Sequence, residues 1–364
     1  MRKTKEKFYN QQDFFKFYDQ LIRETSLGKR TKKDGKRIRQ NTIDNYIYCK
    51  KILLRFVTEK NFEIKLYLVN KLAKAEKEKA KKYWKKFYKE FTDYLYYDLD
   101  FYDNYVGQIT KGLRTFFNYL VNECGLLIGN YHSFFYVAHE EIPIIVLNPE
   151  HLNYLIYNEE LNCKLSEHLK IVKDIFIFGC TVSLRFSDLA ALTTQNLHTF
   201  NNSSYIKVTA QKSGINSSVK LPDYAVAILE KYKKKQKTLL PLISKGYFNI
   251  CLKQLALHLD LKEPIIKYRT KRGEKYIIFK NKEKRLHYTF ADLISTHTMR
   301  RTGITTMLVL GVPTDVARKI SGHKPNSKEF YRYVEYAQGY IDEHTDKAFD
   351  KIKQFKSDKD KAAA

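Results

Sequence analysis

Residues 295–333 read STHTMRRTGITTMLVLGVPTDVARKISGHKPNSKEFYRY. Ser295 or Thr296 predicts a helix cap and Gly311 a helix stop. Thr314 to Ile320 predict a second, short helix ended by Gly322. On this spacing His297 and Arg300 share one face at a helix N-terminus, a place already favourable for an anion. Two histidines, His297 and His323, and an arginine can surround a phosphate, and a tyrosine can attack one. The stretch therefore decides the reading of the chain, provided the other residues supply what phosphoryl transfer still needs.

The balance of charge supports that direction. The 364 residues hold 66 lysines and arginines against 40 acids, a net charge of +26. Such an excess speaks of partners rather than fold, and nucleic acid is the first candidate, because neutralised phosphates release counterions. At 43% hydrophobic residues the chain is globular and long enough for two cores. Five scattered cysteines (Cys49, Cys124, Cys163, Cys180, Cys251) without a C-x-x-C read as reduced thiols of a cytoplasmic protein. No histidine lies at zinc spacing from cysteine, so no metal is expected. No signal peptide and no apolar run of membrane length are seen.

Residues 1–140 read as four amphipathic helices. The stripes are Phe14, Phe15, Tyr18, Leu21, Ile22; then Ile43, Tyr46, Ile47, Leu53, Phe56 behind a Thr42 cap; then Trp84, Phe87, Tyr88, Phe91, Leu95; then Ile109, Leu113, Phe116, Phe117, Leu120. Four such helices fit a small bundle, with the aromatics as core. Between the first two helices, Lys29, Arg30, Lys32, Lys33, Lys36, Arg37 and Arg39 make a basic run suited to the DNA backbone, which positions a protein without reading sequence. A linker is expected near 130–143.

The second region, 141–364, starts a helix at Asn148-Pro149. Another runs from Ser166 to Gly179, and Ser187 and Asp188 predict caps for a short successor. Tyr205 to Ala210 alternates like a strand, with Ser217 to Leu221 as partner and Lys212 at the hairpin tip. Residues 267–285 read as a basic hairpin turning at Gly273, with Lys271 and Arg272 as further DNA contacts. The last residues, with Ile341, Ala348, Phe349, Ile352 and Phe355, predict a tail helix that docks on a neighbouring subunit.

Taken together, G-x-x-x-x-LR-x-SDL around Arg185, Lys212, HTMR at 297–300, Gly322-His323 and a downstream tyrosine resemble the tyrosine recombinase (phage integrase) family, in the branch from phages and mobile elements. The resemblance is continuous from about 148 to 340. It implies a mainly α fold: an N-terminal four-helix, SAM-like core-binding domain and a helical catalytic domain with a small antiparallel sheet. It implies Arg185, Arg300 and His323 as phosphate donors, His297 as proton acceptor, Lys212 as acid to the 5′ oxygen, and Asp188 as an orienting residue; Lys207 and Lys220 are other candidates for the acid. The family places its tyrosine nine residues after the histidine, where this chain has Arg332. One extra residue in the Pro325-Asn326 turn makes Tyr333 the nucleophile rather than Tyr331. Because the bond energy stays in a 3′-phosphotyrosyl link, neither ATP nor metal nor other cofactor is implied. The implied partners are a specific double-stranded DNA site, three further copies in a tetramer, and accessory DNA-bending or directionality proteins. Two other readings remain: a non-catalytic DNA-binding regulator, since 303–322 resembles a helix-turn-helix, and a type IB topoisomerase.

Overall fold

The computed structural model describes residues 6–211, 214–233 and 237–362, with backbone alone at 347, 348 and 350–362. The chain divides into two compact units. One is Met1–Ile142 with Tyr268–Ile278; the other is Pro143–Lys267 with Phe279–Ala364.

The first unit is built on α1 (Gln11–Ser26), α2 (Gln40–Glu59), α3 (Lys74–Asp93) and α4 (Asp103–Asn122). Asn10 caps α1 through its side chain, which accepts from the Asp13 N–H at 3.0 Å. The Thr42 cap expected for α2 is not used. The N–H of Thr42 already donates to Arg39 O at 2.9 Å, so the first turn closes earlier and Arg39 stands at the cap. The four apolar stripes meet in one core, where Trp84 sits edge-on to Phe87 and Phe117 at 5.2 and 5.0 Å. A short antiparallel pair, β1 (Phe8–Tyr9) and β2 (Leu66–Tyr67), closes the unit near its start.

Residues expected in the linker belong to this unit. Phe135, Ala138 and Glu140 are buried. A Cβ at Gly107 of α4 would lie 1.8 Å from Ala138 O, so only glycine lets this segment cross the helix. The basic hairpin, Lys267–Lys271 and Glu274–Ile278, turns at Arg272-Gly273, both with positive φ. Two buried carboxylates hold it. Glu140 accepts from Arg269 Nε and Thr270 N, each at 2.7 Å, and Asp103 accepts from the N–H groups of Arg272 and Gly273 at 2.8 and 3.0 Å.

The second unit runs α5 (Pro149–Tyr157), α6 (Glu159–Lys164), α7 (Glu167–Val182) and α8 (Phe186–Ala190), then a sheet, then α9 (Asp223–Tyr232), α10 (Lys245–Ala256), α11 (Phe290–Leu293), α12 (Thr296–Val309), α13 (Thr314–Ile320) and α14 (Lys328–Ala362). The sheet is antiparallel, in the order β3 (Leu197–Phe200), β4 (Ser203–Thr209), β5 (Asn216–Lys220), with Ile206 opposite Val219. The pattern predicted two of these strands. β3 escaped it because His198 and Thr199 give no apolar alternation and the strand is largely exposed.

Helix α7 is the centre of this unit, buried almost without interruption from Val172 to Val182. Its last turn ends on Ser183, a non-glycine residue at φ 52. The predicted caps Ser187 and Asp188 fall inside α8, and Arg185 occupies the cap position. Helix α12 crosses α7 closely. A Cβ on Gly303 would lie 1.9 Å from Cys180 O, and one on Gly179 would lie 2.4 Å from Met299 Sδ. A smaller core joins α12, α13 and α14 through Ile304, Leu308, Ala317, Phe330, Tyr333 and Ala337. In the predicted tail, Ile341 and Phe349 are exposed, while the side chains of Ala348, Ile352 and Phe355 lie outside the described ones. Among the described residues no helix is long and apolar enough to cross a membrane.

Candidate active site

The glycine-mediated crossing of α7 and α12 sets the geometry. Gly303 lies one turn beyond Arg300 and brings the start of α12 to the end of α7. Arg300, 1% exposed, donates Nη1–H to Ser183 O at 2.8 Å. That carbonyl is presented by the left-handed turn at Ser183. Nη2 of Arg300 lies 3.2 Å from His323 Nε2.

His323 is fixed from its other side. Ser321 Oγ lies 2.8 Å from both His323 Nδ1 and Ala317 O. With the serine hydroxyl donating to the carbonyl, its oxygen accepts from Nδ1–H, which leaves Nε2 as the unprotonated ring nitrogen; Arg300 Nη2 lies against the ring, 3.3 Å from Nδ1 and 3.2 Å from Nε2. Gly322, at φ 61, makes the turn that delivers the ring. Ser295 caps α12, its Oγ accepting from the His297 N–H at 3.3 Å, and Asn249 of α10 accepts from Thr296 N at 2.8 Å.

Arg185 enters at the start of α8, with Nη1 buried and without a hydrogen-bond partner among the described residues. Asp188 is buried one turn later. Its Oδ1 accepts from Gln211 N at 3.2 Å, at the root of the β4–β5 turn, and its Oδ2 has no partner among the described residues. Lys212, the predicted acid, lies outside the described residues. Lys207 and Lys220, its alternatives, are exposed on β4 and β5.

The two tyrosine candidates differ sharply. Tyr331 is 51% exposed. Tyr333 is 1% exposed, its ring 5.9 Å from that of His323, and its hydroxyl is buried without a hydrogen-bond partner among the described residues.

The electrostatics point to a missing negative charge. Burial and then Arg185 lower the Arg300 guanidinium to about 10. Burial, followed by Arg300, Arg185 and His297, pushes His323 down to about 3. His297 is held at about 4 by burial, followed by Arg301, Arg300, Arg185 and Lys245. His297 is nevertheless an exposed residue, and solvent screens part of that push. Burial raises the Tyr333 hydroxyl, while Arg301 and Arg300 pull it the other way. Cations and neutral imidazoles thus converge where a phosphate diester would satisfy all of them.

The sequence reading missed several contributors: Ser183, Ser321, Asn249, Lys245, Arg301 and the crossing glycines. Gly179, the first letter of the motif around Arg185, and Arg301, beside Arg300, were in view as letters but without a role. Of the predicted DNA contacts, Lys29, Lys32, Lys33, Lys36, Arg37 and Arg39 are exposed. Arg30 instead forms a two-point pair with Glu123, both bonds at 2.6 Å. Lys271 pairs with Asp100 and Arg272 with Asp93.

Residues 172–338 match the phage integrase family. The fold is similar to a lambda integrase tetramer bound to a Holliday junction, at 13% identity and TM-score 0.55, over 90% of this chain and 78% of that one. It is similar to XerH site-specific recombinase in a post-cleavage complex with a palindromic difH substrate, at 12% identity and TM-score 0.57, over 94% and 90%. A third likeness is to the integrase of transposon Tn1549 in complex with transposon right-end DNA, at 12% identity and TM-score 0.52, over 89% and 94%. At these identities the likeness is one of fold. The sequence matches none of the curated proteins. The fold and the matched domain define a DNA strand-exchange enzyme of the tyrosine recombinase class. Residues 172–338 form a phage integrase family domain.

Proposed function

We propose that the protein is a site-specific DNA recombinase that cuts and rejoins DNA through a 3′-phosphotyrosyl link. The observation that carries this is the convergence of Arg185, Arg300 and His323, none in an ion pair with an acid among the described residues, on the side of a buried Tyr333 hydroxyl, with Asp188 acting on Arg300 only as a more distant charge.

The scissile phosphate is held by Arg185 and Arg300, with His323 as a further donor once its Nε2 is protonated. Such preorganised donors stabilise the charge that grows on the non-bridging oxygens. Tyr333 Oη attacks phosphorus as its proton passes to His297, and the bond to the 5′ oxygen breaks as Lys212 protonates it. His297 is a weak base while cations alone surround it. The incoming phosphate offsets those cations and raises its basicity. Asp188 anchors the turn that carries Lys212, through Gln211 N. By likeness to the lambda integrase tetramer, exchange would take place in a tetramer on a Holliday junction. Accessory DNA-bending or directionality proteins would set its course. A tail helix beyond 340, reaching a neighbour, would join the subunits. Residues 1–140 would grip the DNA and 141–364 cut it, with the exposed lysines of 29–36 on the backbone. Its place is the compartment that holds the DNA, the cytoplasm of a bacterial cell.

The test is a set of nicked duplexes drawn from candidate element ends, incubated with the protein and resolved under denaturing conditions. A covalent protein–DNA band, absent from Tyr333→Phe, is expected. Binding to several of these sites with no covalent band would favour the non-catalytic regulator.

A further inference from the structure

Arg301 stands four residues after His297, so the two share a face of α12. That face continues through Ile304, Thr305 and Leu308. Ile304 and Leu308 are the residues of α12 that bury against Phe330, Tyr333 and Ala337 of α14. Arg301 is thus the polar head of the stripe that packs on the nucleophile's helix. Its Nε–H is buried and lacks a hydrogen-bond partner among the described residues, and the Tyr333 hydroxyl is in the same condition. Glu329, one turn before Tyr333 on α14, is engaged with Arg332 at 3.5 Å. A donor and an oxygen on facing helices are both left unmet, a state that native interiors avoid unless a further group completes it.

We propose that Arg301 is a positioning residue for the nucleophile: it orients the Tyr333 oxygen and holds the negative charge that this oxygen develops during attack. The inference rests on Tyr333 being the nucleophile. As the Tyr333 proton leaves for His297, the oxygen turns toward phenolate and Arg301 Nε–H donates to it. The guanidinium donates this hydrogen bond without giving up its proton. When the O–P bond has formed and the 5′ oxygen has left with its electron pair, the tyrosine oxygen is a neutral ester and the contact weakens. The interaction is therefore strongest at the moment of attack, as an accelerating contact must be. In the resting site the two groups are close without hydrogen-bond geometry, and such contacts tighten when substrate binds. Arg301 is also the strongest cationic influence on both Tyr333 and His297. It keeps His297 unprotonated and so able to take the proton.

The test is single-turnover cleavage of a nicked duplex, at saturating DNA, from pH 6 to 9.5. Full-length wild type is compared with Arg301→Gln, Arg301→Lys and Tyr333→Phe, with melting and DNA binding measured on each. Arg301→Gln should cleave about tenfold or more slower at pH 7. Its rate should climb with pH, narrowing the gap above pH 9, as hydroxide does what the guanidinium no longer helps. Arg301→Lys should lie between the two. A loss by the same factor at every pH, a rate equal to wild type, or Arg301→Lys as slow as Arg301→Gln would overturn the proposal. If Arg301→Gln fails to fold, Arg301→Lys alone carries the test, and an unshifted profile overturns it. No covalent product in wild type, or one that persists in Tyr333→Phe, removes the nucleophile itself. A Tyr333-dependent product with an unaltered Arg301→Gln profile removes only the role of Arg301.

Discussion

At the hairpin of the first unit, arginines meet carboxylates. Arg269 is paired with the buried Glu140 at 2.6 Å and Arg272 with Asp93, and Asp103 takes the backbone N–H groups of the turn. In the second unit Arg300 meets a backbone carbonyl and an imidazole, and Nη1 of Arg185 and Nε of Arg301 are buried with no hydrogen-bond partner among the described residues. The difference separates two uses of one residue type. A guanidinium compensated by protein acids holds a fold together. A guanidinium buried without one reserves its hydrogen bonds for a group that arrives later, and a DNA phosphate fits that need.

The largest effect should come from the uncompensated side. Arg300→Ala should slow DNA cleavage by a factor of about 10³, the scale of losing one preorganised donor. Its melting temperature should change little, because the variant also removes a buried like charge. A comparable loss of folding and cleavage would move Arg300 to the structural group. On the compensated side the signs reverse. Glu140→Ala strands Arg269 and frees the Thr270 N–H, so the first unit should lose about 3 kcal/mol in denaturant unfolding. A loss below about 1 kcal/mol would mean that the pair does not hold the hairpin.

A smaller effect concerns pH. His323 is held at about 3 in the folded chain and returns to about 6.5 when unfolded. Between those values the unfolded chain binds more protons, so stability is level above pH 6.5 and falls as pH drops below it. The contribution should be on the order of 1 kcal/mol per pH unit, read as the difference between wild type and His323→Gln from pH 7 to 5. Adding inorganic phosphate should flatten the slope, because an anion lets the imidazole charge. A flat difference, or a steeper one with phosphate, would contradict the missing-anion account.

Much of this was legible in the chain. Helix signals placed α12 and α13, and they put His297 and Arg300 on one face. Local periodicity carries that information. The joining of Arg185 to Arg300 rested on resemblance, because no local pattern states which helices cross. The crossing depends on Gly179 and Gly303, and in sequence a glycine within a helix looks only like a weak point. Arg301 was visible as a letter but not as a neighbour of Tyr333, since that requires the α12–α14 packing. The same limit hid the grouping of 268–278 with the first unit. The carboxylates that hold it, Glu140 and Asp103, lie more than a hundred residues upstream.

The burial of Tyr333 against the exposure of Tyr331 offers the sharpest test of the whole account. The covalent DNA product of full-length protein on a nicked duplex can be digested and the modified peptide mapped by mass spectrometry. The account predicts the nucleotide on Tyr333, in the segment Phe330-Tyr331-Arg332-Tyr333 beside His323. A nucleotide on Tyr331, with Tyr333→Phe still reactive, would contradict it.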